Sequence, residues 1–429
     1  MRLSGLQFDN IPALNIPFRF YLTAPIFAIL TGVLLIFWGE QIWLSRWMPI
    51  TLATTHLIAL GVVAMIMFGS LFQLLPVLCG TPIPINSKGA IVFISLLSFG
   101  ILCLSAAFLQ QLSFLPALFL LSISLLSFGV ILIYTLWFNA SGFYTRTPVL
   151  LAVIMLALTI ILGFSFLLNY QTGYFGALPK YWTNIHAAFG TLGWVTLLII
   201  TISFQVIPMF HVTPEFPVTI KNHYPFGLFI LLISLAIELL FSNSHVTFAL
   251  IATLLATYAI AALKQLSLRK RKLPDTTIKF WQLSLSSLLV CSFLLVVNLF
   301  TLSSKQLPFS LDSIIGVIFV VGVVLSVIQG MLLKIVPFLI TLHLQQHAMK
   351  YPMGMGLMPD HYAIISRQHG KQLYWIHLGT LVIVVMSAFI PSLTKLVGIL
   401  FIINWGFLWL MISRAYNAFS RIKLDISNA

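Results

Sequence analysis

Long apolar runs, each about 20 residues long and separated by proline, glycine, asparagine or charged residues, follow one another along almost the whole chain. An α-helix rises about 1.5 Å per residue, so about 20 apolar residues cross the roughly 30 Å hydrocarbon core of a bilayer. The pattern therefore predicts an all-α, polytopic membrane protein with twelve transmembrane helices. The predicted spans are residues 17–39, 51–79, 89–110, 114–138, 148–169, 183–210, 225–241, 246–264, 279–302, 311–339, 372–391 and 394–415.

The composition excludes a soluble globular protein. Of the 429 residues, 60% are hydrophobic and only 7% are charged, whereas ordinary soluble domains carry about 25% charged residues. The polar intervals between the apolar runs are too short to fold alone, so residues 1–429 are predicted to form a single integral membrane domain. Three cysteines, Cys79, Cys103 and Cys291, supply neither a disulfide framework nor a multi-cysteine metal site.

The cations are unevenly divided between the two sides of the predicted bundle. With a cytoplasmic N-terminus, the inner side receives 17 of the 22 Lys and Arg residues, the outer loops receive four, and Lys334 lies within a span. The positive-inside rule then predicts that both termini are cytoplasmic. The net charge of +14 is thus a topology signal rather than a sign of nucleic-acid binding. The expected partner is the lipid bilayer, and the expected location is a bacterial inner (cytoplasmic) membrane.

The second, sixth and tenth predicted spans share a repeated pattern of glycine, a polar residue and proline. The glycine-to-proline distance is 15 residues in all three copies. The aligned positions are Gly61, Gly193 and Gly322, then Gln73, Gln205 and Lys334, then Pro76, Pro208 and Pro337. Each feature alone is typical of close helix packing or of a helix end, but recurrence at every fourth span is not. The repeat predicts three four-helix units, about 17–138, 148–264 and 279–415, around a pseudo-threefold axis.

Two histidines stand at matching places in the first two copies of the repeat. His56 precedes Pro76 by 20 residues, and His186 precedes Pro208 by 22 residues. In this arrangement the chain resembles the catalytic subunits of the heme-copper oxidase superfamily, including the nitric oxide reductases and the cbb-type oxidases. It is also similar to the NnrS family, whose members are membrane proteins linked to heme, copper and nitric oxide stress.

The resemblance implies heme b and/or copper as cofactors, bound through His56 and His186, with His245 as a third metal-ligand candidate. Imidazole is a common ligand of transition metals and of heme iron. The alternative for each residue is a neutral histidine that hydrogen-bonds a carbonyl or a neighbouring Thr or Asn. The superfamily carries two heme-ligating histidines in its tenth span, whereas residues 311–339 contain none. A complete oxygen-reducing centre is therefore not expected, and the chain could also bind no cofactor.

Other polar residues in or beside the spans are further candidates. His343 and His347 are spaced i,i+4, which would place both imidazoles on one helix face. Lys334 replaces a glutamine of the repeat and would lie near the inner end of its helix, where snorkelling to the headgroups is its simplest explanation. The complete set of further candidates is His211, His343, His347, His377 and Lys334.

Three classes of function follow from these residues. One is a heme- or copper-binding protein in nitric oxide or respiratory stress response, or in cofactor handling, with electrons supplied by a partner protein or by quinol. Another is a cofactor-free transporter or permease that kept the oxidase-like fold. The third is a scaffold subunit without a ligand. No catalytic residue is assigned, and the substrate, the electron donor and the oligomeric state are not readable from the sequence.

Overall fold

Twelve long helices build the protein, as seen in a computed structural model that describes residues 11–140, 143–177, 179–242, 245–270, 273–301, 311–351 and 354–428. In chain order they are α1 (Asn15–Trp38), α2 (Pro49–Cys79), α3 (Ser87–Phe108), α4 (Leu115–Asn139), α5 (Phe143–Thr172), α6 (Lys180–His211), α7 (Val218–Phe241), α8 (Val246–Ser267), α9 (Thr276–Thr301), α10 (Leu311–Ala348), α11 (Arg367–Ser387) and α12 (Thr394–Ser427). Eleven of them, all except α11, are long and apolar enough to cross a membrane. The chain is therefore an all-α integral membrane protein, as predicted.

The predicted span at residues 372–391 is not among the eleven helices that are long and apolar enough to cross a membrane, and its ends also differ from the prediction. Its helix, α11, begins at Arg367 because the Ser366 hydroxyl accepts a hydrogen bond from the backbone N–H of His369 and caps the first turn. The helix ends at Ser387, and a single 3₁₀ turn at Pro391–Leu393 leads into α12. The first two turns of α11 are polar, which is why this helix differs from the other eleven.

Among the other helices, α10 and α12 extend furthest beyond the predicted ends of their spans. α10 continues past residue 339 to Ala348, and α12 continues past residue 415 to Ser427. The added turns pack on one another, because His347 Nε2 lies 2.8 Å from Ser427 Oγ. Polar residues therefore did not end these helices. At their ends, His347 and Ser427 bind each other.

Both described chain ends lie at the same end of the bundle. α1 and α12 are antiparallel: the rings of Phe18 and Tyr416 lie 5.0 Å apart at one end. At the other end, Trp43 Nε1 donates to Thr394 Oγ1 at 3.0 Å. We call the end that holds residues 11–18 and 416–428 the terminal end, and the other the opposite end. A chain that starts and finishes at one end makes an even number of passes.

The second, sixth and tenth helices form the interior, as the repeat predicts. In their most apolar stretches 72%, 67% and 61% of the residues of α2, α6 and α10 are buried, more than in any other spanning helix. Each of the three contains an eight-residue π-helical segment. These segments are Leu57–Ala64, Phe189–Thr196 and Ile318–Leu325.

The repeat glycine is the fifth residue of each of these three segments, and it lets a neighbouring helix approach closely. A Cβ on Gly61 would lie 2.4 Å from Phe27 of α1, and one on Gly322 would lie 2.6 Å from Ser287 of α9. A Cβ on Gly193 would lie 2.8 Å from Met155 of α5. In each case the neighbour is the helix that directly precedes in sequence, so the local packing recurs with the sequence repeat.

Candidate metal or cofactor site

His56 lies in α2 one residue before the π-helical segment, in the half of the bundle nearer the opposite end. Its Nδ1 atom lies 2.8 Å from the carbonyl oxygen of Leu52, one turn earlier in the same helix. A carbonyl oxygen only accepts hydrogen bonds, so Nδ1 carries the proton. The neutral ring then keeps a lone pair on Nε2, which is the form that binds a metal.

His186 is held in the same way by a different helix. Its Nδ1 atom lies 3.1 Å from the carbonyl oxygen of Thr159 in α5. One turn further along α5, Gly163 leaves space for the ring, because a Cβ there would lie 3.2 Å from His186 Cε1. The backbone of α5 therefore fixes both the tautomer and the position of this imidazole.

The two imidazoles come together across the interface of α2 and α6. Their ring centroids are 6.5 Å apart, and the ring planes differ by 25°. Phe108 lies 5.1 Å from the His56 ring and Phe166 lies 5.5 Å from the His186 ring, so apolar side chains flank the pair. In the described part of the chain neither Nε2 atom has a hydrogen-bond partner.

The spacing of the pair fits one metal ion better than it fits a direct contact. A ring nitrogen binds a transition metal at about 2 Å, so one ion between two Nε2 atoms would hold the ring centroids roughly 5 to 6.5 Å apart, the longer value applying when the two ligands lie on opposite sides of the ion. The observed distance of 6.5 Å lies at the upper end of this range. Within the described residues no three His, Cys, Asp or Glu side chains are grouped closely enough to hold one metal. The chain therefore offers two ligands and leaves the other coordination positions open.

His245, the third candidate on this side, is not grouped with the pair. It is exposed and precedes the first turn of α8, where its ring lies 6.3 Å from Phe248.

Below the π-helical segments, toward the terminal end, α2, α6, α10 and Trp281 of α9 line a partly open cavity of about 90 Å³. Its walls are apolar except for Ser70 and Ser203. Both hydroxyls are already hydrogen-bonded, Ser70 to Tyr21 at 3.1 Å and Ser203 to Tyr258 at 2.8 Å. The lining begins at Ile66 on α2, ten residues beyond His56, so about 15 Å of helix separates cavity and pair.

Lys334 forms an ion pair that the sequence did not reveal. Its Nζ atom lies 2.8 Å from Asp275 Oδ2, and 14% and 18% of the two side chains are exposed. Asp275 also accepts hydrogen bonds from the backbone and hydroxyl of Thr277. Burial raises the pKa of Asp275, but Lys334 and Thr277 together lower the pKa by more than burial raises it. The pKa of Asp275 therefore lies below its ordinary value. Snorkelling is therefore not needed to explain Lys334.

His211 completes this cluster at the terminal end. Its Nδ1 atom is 3.8 Å from Asp275 Oδ2, which is too long for a hydrogen bond. The side chain is fully buried, and both ring nitrogens lack a hydrogen-bond partner among the described residues. Asp275 was missed because it lies in a loop between α8 and α9. The sequence feature that could have identified Asp275 is that it is the only acidic residue beside a run of cations, Arg269 to Lys272.

The remaining histidine candidates bind protein groups and not one another. His343 lies 2.9 Å from the Leu339 carbonyl through Nδ1 and 3.1 Å from the Pro12 carbonyl through Nε2. His347 contacts Ser427 instead, so the i,i+4 pair is directed to two different partners. His377 of α11 is buried, and its Nε2 lies 2.8 Å from the Ser326 hydroxyl of α10.

Comparison of the sequence with protein-family models and with curated proteins finds no match.

Proposed function

We propose that this integral membrane protein binds a transition metal, as copper or as the iron of heme b, between His56 and His186. The single observation that carries the proposal is the close pair of imidazoles, with ring centroids 6.5 Å apart and ring planes 25° from parallel. Each ring has its Nδ1 bound to a backbone carbonyl, and each keeps Nε2 free for a metal. Histidines in metal sites are held by such carbonyl bonds, which fix the tautomer and raise the basicity of the ligand atom.

The surroundings of the pair also favour a ligand role over simple packing. Unlike the ring nitrogens of His211, the free Nε2 atoms of His56 and His186 are not fully buried, so a ligand can reach them. Gly163 leaves room for the His186 ring against α5. Imidazole nitrogens suit copper, iron and zinc, and His56 and His186 would supply two nitrogen ligands to a heme iron or to a copper ion.

The fold in which this site lies is proposed to consist of three four-helix units related by a pseudo-threefold axis. Support comes from the three π-helical segments, each with glycine in fifth place. It also comes from a second recurring contact: a Cβ on Gly69 would lie 2.6 Å from Phe20, and one on Gly330 would lie 2.5 Å from Phe280. Gly69 and Gly330 each follow the repeat glycine of their helix by eight residues.

Together these features support a protein similar to the heme-copper oxidase superfamily or to NnrS that acts in nitric oxide or respiratory stress, or in handling the cofactor. In the described residues no additional histidine joins the pair, so the superfamily's complete centre is not proposed. The electrons for any redox step would come from a partner protein or from quinol. The membrane is proposed to be the bacterial inner membrane, with both termini in the cytoplasm.

The test is a reduced-minus-oxidised visible spectrum of detergent-purified protein, with iron and copper measured on the same sample. Protein should be expressed with ample heme and copper. We expect about one metal per chain, with the metal lost in His56→Ala and in His186→Ala. His245→Ala is the matched control, because it removes an imidazole from the same side of the bundle but outside the pair. Unaltered metal content in both pair variants, or no metal in the wild type, would overturn the proposal.

A second function, transport, is favoured by the central cavity and by the ion pair beside its terminal end. Lys334 adjoins the cavity-lining residue Ile335 and pairs with Asp275. In this alternative, proteoliposomes would show a proton or solute flux that Lys334→Gln abolishes and His56→Ala leaves unchanged. The opposite dependence would support the metal site.

A further inference from the structure

A stripe of exposed side chains runs along the outer face of α11, from cations to apolar residues. Arg367, Lys371 and Trp375 are spaced four residues apart, and all three are exposed. Val382 and Met386 continue the same face and are 49% and 44% exposed. Residues at this spacing lie one above another on a helix surface. The face therefore changes from charged to aromatic to apolar as it leaves the terminal end.

α9 runs beside this stripe and repeats its order. Lys279, in the first turns of α9, is exposed and extends over α11: its Nζ atom lies 5.7 Å from the Tyr374 ring and 5.8 Å from the Trp375 ring. Further along α9, Val290 and Phe293 are exposed. The two helices touch through Phe280 and Tyr374, whose ring centroids are 5.3 Å apart. The outer surface where α9 and α11 meet, which we call the α9–α11 groove, thus has three cations at its terminal end and exposed apolar residues beyond.

The three cations of this groove lack carboxylate partners. Within the described residues, no Asp or Glu oxygen lies within ion-pair distance of Lys279, Arg367 or Lys371. The nearest acid along α9, Asp275, is paired with Lys334. The cations instead contact the faces of aromatic rings. The Arg367 guanidinium, for example, lies 3.9 Å from the centre of the Tyr362 ring. The groove therefore carries a net positive charge that the protein itself does not neutralise.

The groove also has room at the depth where acyl chains begin. Gly379, one turn beyond Trp375, has no heavy atom within 4 Å of where a Cβ would lie. Tryptophan and tyrosine concentrate at the level of lipid headgroups, which places Trp375 at the boundary between the polar and apolar parts of the stripe. The order of cations, aromatic ring, open notch and apolar wall matches the order of phosphate, glycerol and acyl chain in a phospholipid.

We propose that the groove between α9 and α11 is a binding site for an anionic phospholipid of the leaflet at the terminal end. Lys279, Lys371 and Arg367 bind the headgroup phosphates, Trp375 packs on the glycerol region, and an acyl chain lies over Gly379 along Val382. Basic pockets between transmembrane helices are known to hold multiply charged headgroups. The site explains why α11 starts with polar turns, and it does not depend on the metal site.

Reconstitution into nanodiscs, with tryptophan fluorescence as the readout, tests the proposal. The probes are phosphatidylglycerol and phosphatidylcholine brominated high on their acyl chains, each diluted into unbrominated phosphatidylcholine. We expect phosphatidylglycerol to quench Trp375 at much lower mole fraction. Trp375→Phe should remove this selective component and thereby assign it. Equal quenching by the two lipids in the wild type would overturn the proposal.

Charge variants then test the headgroup contacts. Each neutralised cation near a membrane surface should weaken anionic-lipid binding about fivefold. Lys279→Gln with Lys371→Gln should therefore shift half-quenching by more than tenfold. Lys88→Gln is the matched control, since it removes an exposed cation at the same end of the bundle from α3. An equal shift in the control would mean general surface attraction, and competition by inorganic phosphate alone would mean a free-anion site. Either result would refute a lipid site.

Discussion

Asp275 is the residue on which the charged cluster at the terminal end depends. It neutralises Lys334 at 2.8 Å in a setting where both side chains are largely buried. Removing one partner of a buried pair leaves an uncompensated charge, which costs more than the pair itself contributes. In the other two copies of the repeat, glutamine occupies the position that corresponds to Lys334. An uncharged side chain therefore also fits this position of the repeat.

We therefore expect Asp275→Asn to destabilise the protein by about 3 kcal/mol. Thermal unfolding in detergent measures the change. The double variant with Lys334→Gln removes both charges and restores the glutamine of the repeat, so it should recover most of the loss. If the double variant were as unstable as Asp275→Asn alone, the ion pair would not be the cause.

The same carboxylate predicts a pH dependence with a definite sign. The pKa of Asp275 lies below its ordinary value of 3.8 in the folded protein. A group whose folded pKa is lowered stabilises the fold above the unfolded pKa, and this stabilisation is lost as the pH falls through the folded pKa. As the pH falls below about 5 and on through the folded pKa, which lies below 3.8, the wild type should lose more stability than Asp275→Asn. Parallel stability curves for the two proteins would contradict the assignment.

At the scale of single elements, the π-helical segments connect the sequence repeat to packing. Their glycines meet neighbours of different stiffness: the rigid Phe27 ring and the Ser287 side chain at 2.4 and 2.6 Å, but the flexible Met155 at 2.8 Å. An added methyl group in a packed interior costs about 1–3 kcal/mol, and less where the neighbour can move.

Gly61→Ala and Gly322→Ala should therefore each lower stability by about 2–3 kcal/mol, and Gly193→Ala by less. Gly316→Ala is the control for α10, because nothing lies within 4 Å of its Cβ position and alanine favours the helix. This control should be neutral or stabilising in the same thermal assay. Equal losses at Gly193 and Gly61 would show that the neighbour's stiffness does not decide the cost.

The elements also show which parts of the structure the sequence could predict. The periodicity and length of the apolar runs were sufficient to predict the helices. The spacing of glycine and proline was sufficient to identify α2, α6 and α10 as the helices of the interior. The partners of His56 and His186 were not predictable, because both are backbone carbonyls, which every residue possesses. Pairing of Lys334 with a loop residue depends on how α6, α9 and α10 converge, which no local pattern encodes.

At the scale of the whole molecule, α1 and α12 join the first and last parts of the chain. Gly32 and Gly398 make this contact possible, since a Cβ on either would lie within 2.6 Å of the other's carbonyl oxygen. Lys395 and Glu40 approach to 3.3 Å nearby, at the opposite end. An antiparallel contact within one bilayer would place both described termini on one side of it, and this in turn would require α11 to make a full pass.

That requirement gives a prediction about α11, the helix whose polar first turns set it apart. If α11 crosses, Ser392 in the turn after this helix faces the side away from Gln368 in its first turn. We expect Ser392→Cys and Gln368→Cys, each in a chain whose three native cysteines are replaced by alanine, to react with a membrane-impermeant maleimide from opposite sides of oriented vesicles. Both residues are exposed, so reactivity reports location and not burial. Labelling from the same side would mean eleven passes. The α1–α12 contact could not then form across one bilayer, and the shared side of the two termini would have to be abandoned with it.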